Sequence, residues 1–208
     1  MAMTAVITGD LINSRGSSDV KGFLSALKKL LAALAKRYGA GTDIFRGDGF
    51  QLLLDSPEEA LECALALRAG LIAASPKGER WDARLAVGVA HTKKNAGGQV
   101  FSEAAVLSGQ GLDSMKRQTL MVFSNSTQFL RYAELPTAFV AEIIDNWSVV
   151  EAQTYYLYLS KAQDQATIAK AMKKSRVTVT KALQRAKAQL LGRYLASVEF
   201  WLTEALHD

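Results

Sequence analysis

Two acidic residues stand where acids can do chemistry. Asp10 ends the apolar, β-branched run Ala5-Val6-Ile7-Thr8-Gly9, and Asp48 lies between two glycines, Gly47 and Gly49, 38 positions further on. The stretch from Thr42 to Leu54 reads as two strands around that turn. A glycine on either side lets the backbone turn sharply and come close to a ligand. If these strands are neighbours in one sheet, both carboxylates reach the same edge. Two hard oxygen donors on rigid strands are what Mg²⁺ takes when waters and phosphate oxygens complete its shell. Two such ions would clamp the attacking and leaving oxygens of a phosphoryl or nucleotidyl transfer. The amides of Leu11, Ile12, Asn13 and Ser14, ahead of a capped helix, form a phosphate cradle. Arg15, Arg46 and Gly47 are placed to complete a nucleotide site with them. The alternative is that Asp10 and Asp48 merely cap turns, as turn aspartates usually do.

The elements that must position these groups follow from periodicity. Asp19 caps a helix whose apolar face is Phe23, Leu24, Leu27, Leu30, Leu31 and Leu34, closed by Gly39 and Gly41. Ser56 and Pro57 start a second helix with Ala60, Leu61, Ala64, Leu65, Leu67 and Leu71 inward. Trp81 to Ala90 alternates as a strand, and there Arg84 reads as a strand-surface charge. His91 to Gly98 is a polar turn. Ser102 and Glu103 cap a third helix, and Thr119 to Phe123 is another strand. Residues 126–146 read as helical or mixed, broken at Pro136. The order βαββαβαβ predicts an α/β (α+β) sandwich with helices on the face of one sheet.

Composition narrows the class. The 208 residues are 49% hydrophobic and 22% charged, with one cysteine, so a globular domain of about 150 residues plus a smaller module is expected, without a disulfide framework. Cys63 reads as a small hydrophobe. Two histidines, His91 and His207, lie too far apart in the chain to suggest a His-based metal site. No apolar run reaches the roughly 18 residues of a membrane span, so a cytoplasmic protein is expected. The net charge is +5, and residues 161–208 hold nine Lys/Arg against four Asp/Glu while residues 1–160 are balanced. All the excess positive charge is therefore in the last quarter, which suggests an anionic partner there, nucleic acid first.

That quarter is helical throughout. A short helix from Asp164 to Met172, the turn Lys173-Lys174-Ser175 and a longer helix from Arg176 to Leu191 or beyond have the layout of a helix-turn-helix. Ile168, Ala169, Val179 and Leu183 would form its core, and Ser175 would cap the second helix. Lys173, Lys174, Ser175, Arg176, Thr178, Thr180, Lys181, Gln184 and Arg185 would face the major groove or backbone of double-stranded DNA. The competing reading is a helical hairpin used for dimerisation. The apolar tail from Tyr194 to Leu206 either packs on the core or makes a dimer helix, and paired half-sites favour a homodimer.

Residues 5–113 resemble the catalytic domain of class III nucleotide cyclases, whose palm-like, ferredoxin-like sheet is shared with diguanylate cyclases and polymerases. The likeness is carried by Val6 to Ser14, Gly47-Asp48-Gly49-Phe50, Leu85 to Ala90 and Phe101 to Leu107. It implies that the two metal aspartates fall on Asp10 and Asp48. The family's base-reading lysine would fall at Ile44, and its transition-state Asn and Arg near Ser102 and Val106; none is retained. Loss of one such electrostatic donor commonly costs about 10²–10³ in rate, so the resemblance implies nucleotide and Mg²⁺ binding without efficient cyclisation. Gln163 to Ala188 resembles the helix-turn-helix of region 4 and extracytoplasmic-function sigma factors, and the whole chain is similar to the SatD-like bacterial family. The expected organisation is a degenerate cyclase-like domain over residues 1–146 and a DNA-binding module over residues 147–208, acting as a nucleotide-sensing transcriptional regulator. The alternatives are a metal-dependent nucleotidyl-transfer enzyme and a purely structural interaction protein.

Overall fold

The computed structural model describes residues 3–45, 47–91, 93–94, 100–101, 103–160 and 164–206. Strand β1 (Met3–Leu11) is the spine, and its β-branched centre is buried on both faces, with Ala5, Val6 and Ile7 fully covered. It pairs antiparallel with β3 (Phe50–Leu54) on one side and with β4 (Ala83–His91) on the other. Strand β2 (Gly41–Ile44) adds to β3 as an exposed edge, and β7 (Leu120–Ser124) runs parallel to β4 at the opposite edge. The sheet is therefore mixed, in the order β2-β3-β1-β4-β7. Two short strands, β5 (Lys93–Lys94) and β6 (Val100–Phe101), pair separately. They fall in or beside the stretch expected as a polar turn, of which residues 92 and 95–98 lie outside the described ones.

Helices α1 (Val20–Tyr38) and α2 (Ala60–Ala73) cover one face of the sheet. Asp19 caps α1 by accepting from the Gly22 amide, and Gly39 closes it in the left-handed region at φ 62°. Pro57 does not begin α2 directly. Residues 57–59 form a 3₁₀ turn that runs into it, and Ser56 makes no capping bond. Helix α3 (Glu103–Ser114) covers the other face, packing Ala104 on Val6 and Ala90. Its close approach depends on Gly88, where a Cβ would stand 2.2 Å from the Ala104 carbonyl oxygen.

Two expectations are corrected and a third is narrowed. Pro136 does not break residues 126–146, because α4 (Thr127–Asp145) runs through it. A proline inside a helix costs about 3 kcal/mol, and here the helix is held from both sides: Phe129, Ala133, Val140 and Ile144 are buried in the core, and α4 packs on β7 and the last helix. The long helix after Arg176 is two helices, α7 (Arg176–Arg185) and α8 (Ala188–Leu206), separated where Lys187 takes φ 60°. Of the two readings of the apolar tail, packing on the core is the one its buried side follows, while Phe200 stays exposed. Leu191, Tyr194, Val198, Leu202 and Ala205 are buried against the rest of the chain.

Helix α5 (Val149–Ser160) packs on α2 and α7, and α6 (Gln165–Met172) packs on α5 and α7. One hydrophobic core thus runs from the sheet through Trp147 into the helical end. Among the described residues no helix is long and apolar enough to cross a membrane.

Candidate functional site

The last β1–β3 pair is Gly9 with Phe50, so Asp10 and the hairpin tip carrying Asp48 emerge at the same end of the sheet. The tip is closed by the Phe45 amide donating to the Gly49 carbonyl at 2.9 Å, and Gly47 sits at φ 90°, a conformation side-chain-bearing residues rarely adopt. The chain after β1 turns through Asn13, also left-handed at φ 52°, into a 3₁₀ turn over Ser14–Gly16. That turn delivers the buried Ser14 hydroxyl to Asp48, to which it donates a hydrogen bond. Ser14 is what ties the loop after β1 to the hairpin.

The residue that clasps Asp10 and lies in the field of Asp48 is Arg84, which the sequence suggests is only a surface charge. It stands directly across from Asp10 in the β1–β4 register. Its Nε donates to Asp10 Oδ1 at 2.9 Å and its Nη2 to Oδ2 at 2.5 Å, a bidentate clasp, while Nη1 reaches the Met115 carbonyl at 3.2 Å. The hydrogen bond to Asp10 and the negative field of both Asp10 and Asp48 raise the Arg84 pKa further above its ordinary value. All three charges therefore belong to one rim.

This donor set fits one Mg²⁺ ion better than two. A carboxylate offers about four lone-pair sites. Arg84 occupies one on each Asp10 oxygen and Ser14 one on Asp48, so hard-oxygen capacity remains on both, including an Asp48 oxygen outside the Ser14 bond. Arg84 has already neutralised Asp10, however, and no group of three or more His, Cys, Asp or Glu side chains that could hold a metal occurs among the described residues.

Of the expected phosphate cradle, Ile12 is committed elsewhere, since its amide donates to the Asp82 carbonyl at 2.9 Å. Leu11 is buried in β1, Asn13 and Arg15 are exposed beside Ser14, and Arg46 lies outside the described residues. Ile44 and Val106, which stand where the resemblance places the base-reading Lys and near where it places the transition-state Arg, are both exposed hydrophobics. Ser102 lies outside the described residues.

Behind the loop, Glu79 accepts from Ser17 Oγ at 2.7 Å, the Ser18 amide at 3.0 Å and Trp81 Nε1 at 3.3 Å. Bonds from Ser18 and Ser17 lower its pKa from 4.5 to about 2. A depressed carboxylate stabilises the fold above its unfolded value and loses that contribution as pH falls through the folded one. Glu79→Gln should therefore be less stable than the parent at pH 6, and the gap should close between pH about 4.5 and about 2. Thermal unfolding of both proteins across that range checks it.

At the far end, α6 and α7 are joined by the turn Lys173–Ser175, with Lys173 left-handed at φ 54°. Ser175 caps α7 by accepting from the Thr178 amide at 3.1 Å. Val179, Ala182 and Leu183 are buried, while Arg176, Thr178, Lys181, Gln184 and Arg185 are exposed together with Lys173 and Lys174. Four of the expected DNA-facing residues have internal side-chain partners, and the Ser175 and Thr178 hydroxyls bond each other at 2.9 Å. Thr180 donates to Gln165 Oε1, and Arg185 Nε pairs with Glu151 at 2.7 Å. Burial alone would raise the Glu151 carboxyl, but the Ser148 amide and Arg185 outweigh it and lower the pKa.

No family model matches the chain, and no curated protein matches it. Several solved structures are similar over part of it. The active GGEEF domain of a diguanylate cyclase from Vibrio cholerae is 18% identical over 59% of this chain and 82% of its own, with a TM-score of 0.45. The guanylate cyclase domain of RhGC from Catenaria anguillulae, solved with GTP, is 17% identical over 55% of this chain and 74% of its own, at 0.41. The adenylyl cyclase CyaB from P. aeruginosa is 11% identical over 58% of this chain and 76% of its own, at 0.43. Likenesses this distant do not establish a shared activity.

Proposed function

We propose that the Asp10–Asp48 rim binds the phosphate end of a nucleotide with one Mg²⁺ ion, and that α6 and α7 bind duplex DNA, making the protein a nucleotide-responsive DNA-binding regulator. The observation that carries the nucleotide reading is that two carboxylates far apart in sequence, one at the end of β1 and one at the hairpin tip, emerge at the same end of the sheet, with Arg84 clasping the first and Ser14 bonded to the second. Asp48 and the remaining lone pairs of Asp10 would hold the ion, which supplies positive charge to orient and neutralise phosphate oxygens. Arg84 keeps Asp10 in place and offsets one of the two negative charges that would otherwise repel the ligand. A nucleotide shifts DNA affinity only as far as it distinguishes two arrangements of the protein. The core continuous from the sheet to α7 is the path by which the two sites would be coupled. A homodimer would present two α7 helices to paired half-sites.

Titration calorimetry of ATP and GTP with Mg²⁺ tests the nucleotide site. Binding is expected, and Asp48→Asn should weaken it about ten-fold or more, since a bond to a charged group contributes roughly 1.5–3 kcal/mol. Binding that Asp48→Asn and Asp10→Asn both leave unchanged would place the ligand elsewhere.

A second reading, nucleotidyl transfer, is favoured by the convergence of the two aspartates. It has to work without a basic side chain at Ile44 or Val106 and with Asp10 already clasped by Arg84. Product analysis after incubation with each NTP and Mn²⁺ separates it from binding alone.

A further inference from the structure

A second cavity, remote from the rim, opens where α2, α5 and α8 meet. It has a volume of about 500 Å³. Its walls carry four carboxylates, Glu58 and Glu59 from the 3₁₀ turn before α2, Glu62 from α2 and Glu199 from α8, in a protein whose net charge is +5. Glu62 is shared with Arg37 at 2.9 Å and with the Tyr38 hydroxyl at 2.7 Å. Arg37 thus offsets one of the four charges, and the wall stays acidic. Burial and the neighbouring Glu58 and Glu62 raise the Glu59 pKa, and Arg37 offsets this only in part.

The cavity also holds an unsatisfied donor and acceptor. Tyr155 lines it and is fully buried, and its hydroxyl has no hydrogen-bond partner. Desolvation and the field of Glu62 keep that hydroxyl neutral. Orphaned buried polar groups are rare because each forfeits its hydrogen bonds to water. Its buried ring packs between Trp147, at 4.9 Å, and Tyr158, at 6.2 Å, so the half-buried Tyr158 is what offers ring surface beside the carboxylates. Carboxylates, a ring face and a free hydroxyl acceptor together suit an ammonium group, which is held by charge, by cation–π attraction and by N–H donation. A compact metal ion suits them less, because no three acidic side chains here approach closely enough to share one among the described residues. Carboxylates spread along a wall match a chain of separated ammonium groups instead.

We propose that this cavity binds an aliphatic polyamine, with the Tyr155 hydroxyl accepting from one ammonium and the glutamates pairing with the others. The site joins a helix of the sheet layer to two helices of the C-terminal end, so occupancy would bear on how those parts are held. It stands independently of the nucleotide reading.

Calorimetry of the full chain with spermidine at fixed ionic strength is the test. Saturable binding is expected, weakened about ten-fold or more by Tyr155→Phe. Gly192→Leu should abolish it while leaving the fold intact, because Gly192 lines the cavity and a Cβ there meets nothing within 4 Å. An unchanged circular dichroism spectrum and a melting temperature no lower than the parent's establish that the variant folds. Absence of binding to the parent, binding indifferent to both substitutions, or equal competition by Mg²⁺ would each overturn the proposal.

Discussion

Replacing Arg68 by methionine should lower the unfolding free energy by about 3–5 kcal/mol, the loss typical when one partner of a buried ion pair is removed. Arg68 sits in α2 with none of its surface exposed. Its Nε and Nη2 hold both oxygens of the buried Asp82 at 2.9 and 2.6 Å, Nη2 also reaches Asp145 at 2.7 Å, and Nη1 donates to Thr119 Oγ1 at 3.0 Å. Burial by itself would lower the Arg68 pKa, but the charges and bonds of Asp82 and Asp145 raise it. Methionine fills similar volume, so the cost is the carboxylate left behind rather than a cavity. Arg80 retains part of the network through Asp82 Oδ2, which sets the loss at the lower end of the range. Urea unfolding measures it, and Asp145→Asn is the internal comparison. Asp145 is about a third exposed, so its loss should cost about 1 kcal/mol or less. Equal losses from the two substitutions would show that burial is not what makes the Arg68 pair matter. The consequence extends to function, because Arg80 also donates to the Ile144 and Trp147 carbonyls, where the sheet layer passes into the helical end.

What the sequence made legible was periodic, and what it hid was set by pairing across the chain. The apolar face of α1, the hairpin at Asp48 and the turn from Lys173 to Ser175 are local patterns, each readable in a window of a few residues, whereas α2 is buried well beyond the face its periodicity suggests. Arg84 was not readable, because its role follows from register. Only when β4 lies antiparallel to β1 with Asp10 opposite Arg84 does a strand-surface charge become a clasp. Arg68 left a weaker trace, one arginine in a helix otherwise apolar nearly all round, which calls for a buried partner. The partner, Asp82, gives no local sign of it. Pro136 and Lys187 misled in opposite directions. Tertiary packing carried a helix across the proline, whereas a left-handed backbone ended one at a lysine, for which the sequence has no glycine or asparagine to serve as a marker. The cluster of glutamates around the start of α2 reads from sequence as ordinary helix-terminus charge. Only the return of α8 beside it, with Tyr155 beneath, makes it a cavity wall.

Reversing charge at two positions of α7, Arg176→Glu with Lys181→Glu, should reduce duplex DNA affinity about 100-fold at low salt and lessen the dependence of log affinity on log salt by about 2, roughly one per lost phosphate contact. These two are the informative positions because both are exposed and neither has an ion pair among the described residues. Arg185 is a poorer choice. Its pairing with Glu151 ties α7 to α5, so Arg185→Glu would put two acids together and disturb packing as well as charge. The stability of the double variant should be nearly the parent's, since the buried side of α7 is Val179, Ala182 and Leu183, which are untouched. Titration of a fluorescent duplex at several salt concentrations gives both numbers. If the helices serve only as an intramolecular or dimer hairpin, the parent will show no salt-sensitive binding and the double variant will match it. If DNA binding is real but runs through the turn, the double variant will keep its affinity, while Lys173→Glu with Lys174→Glu will lose it. A dependence on α7 rather than the turn is the expected result, because Ser175 points the amide-rich start of α7 outward beside Arg176, adding the helix's own positive end to the side chains that meet phosphate.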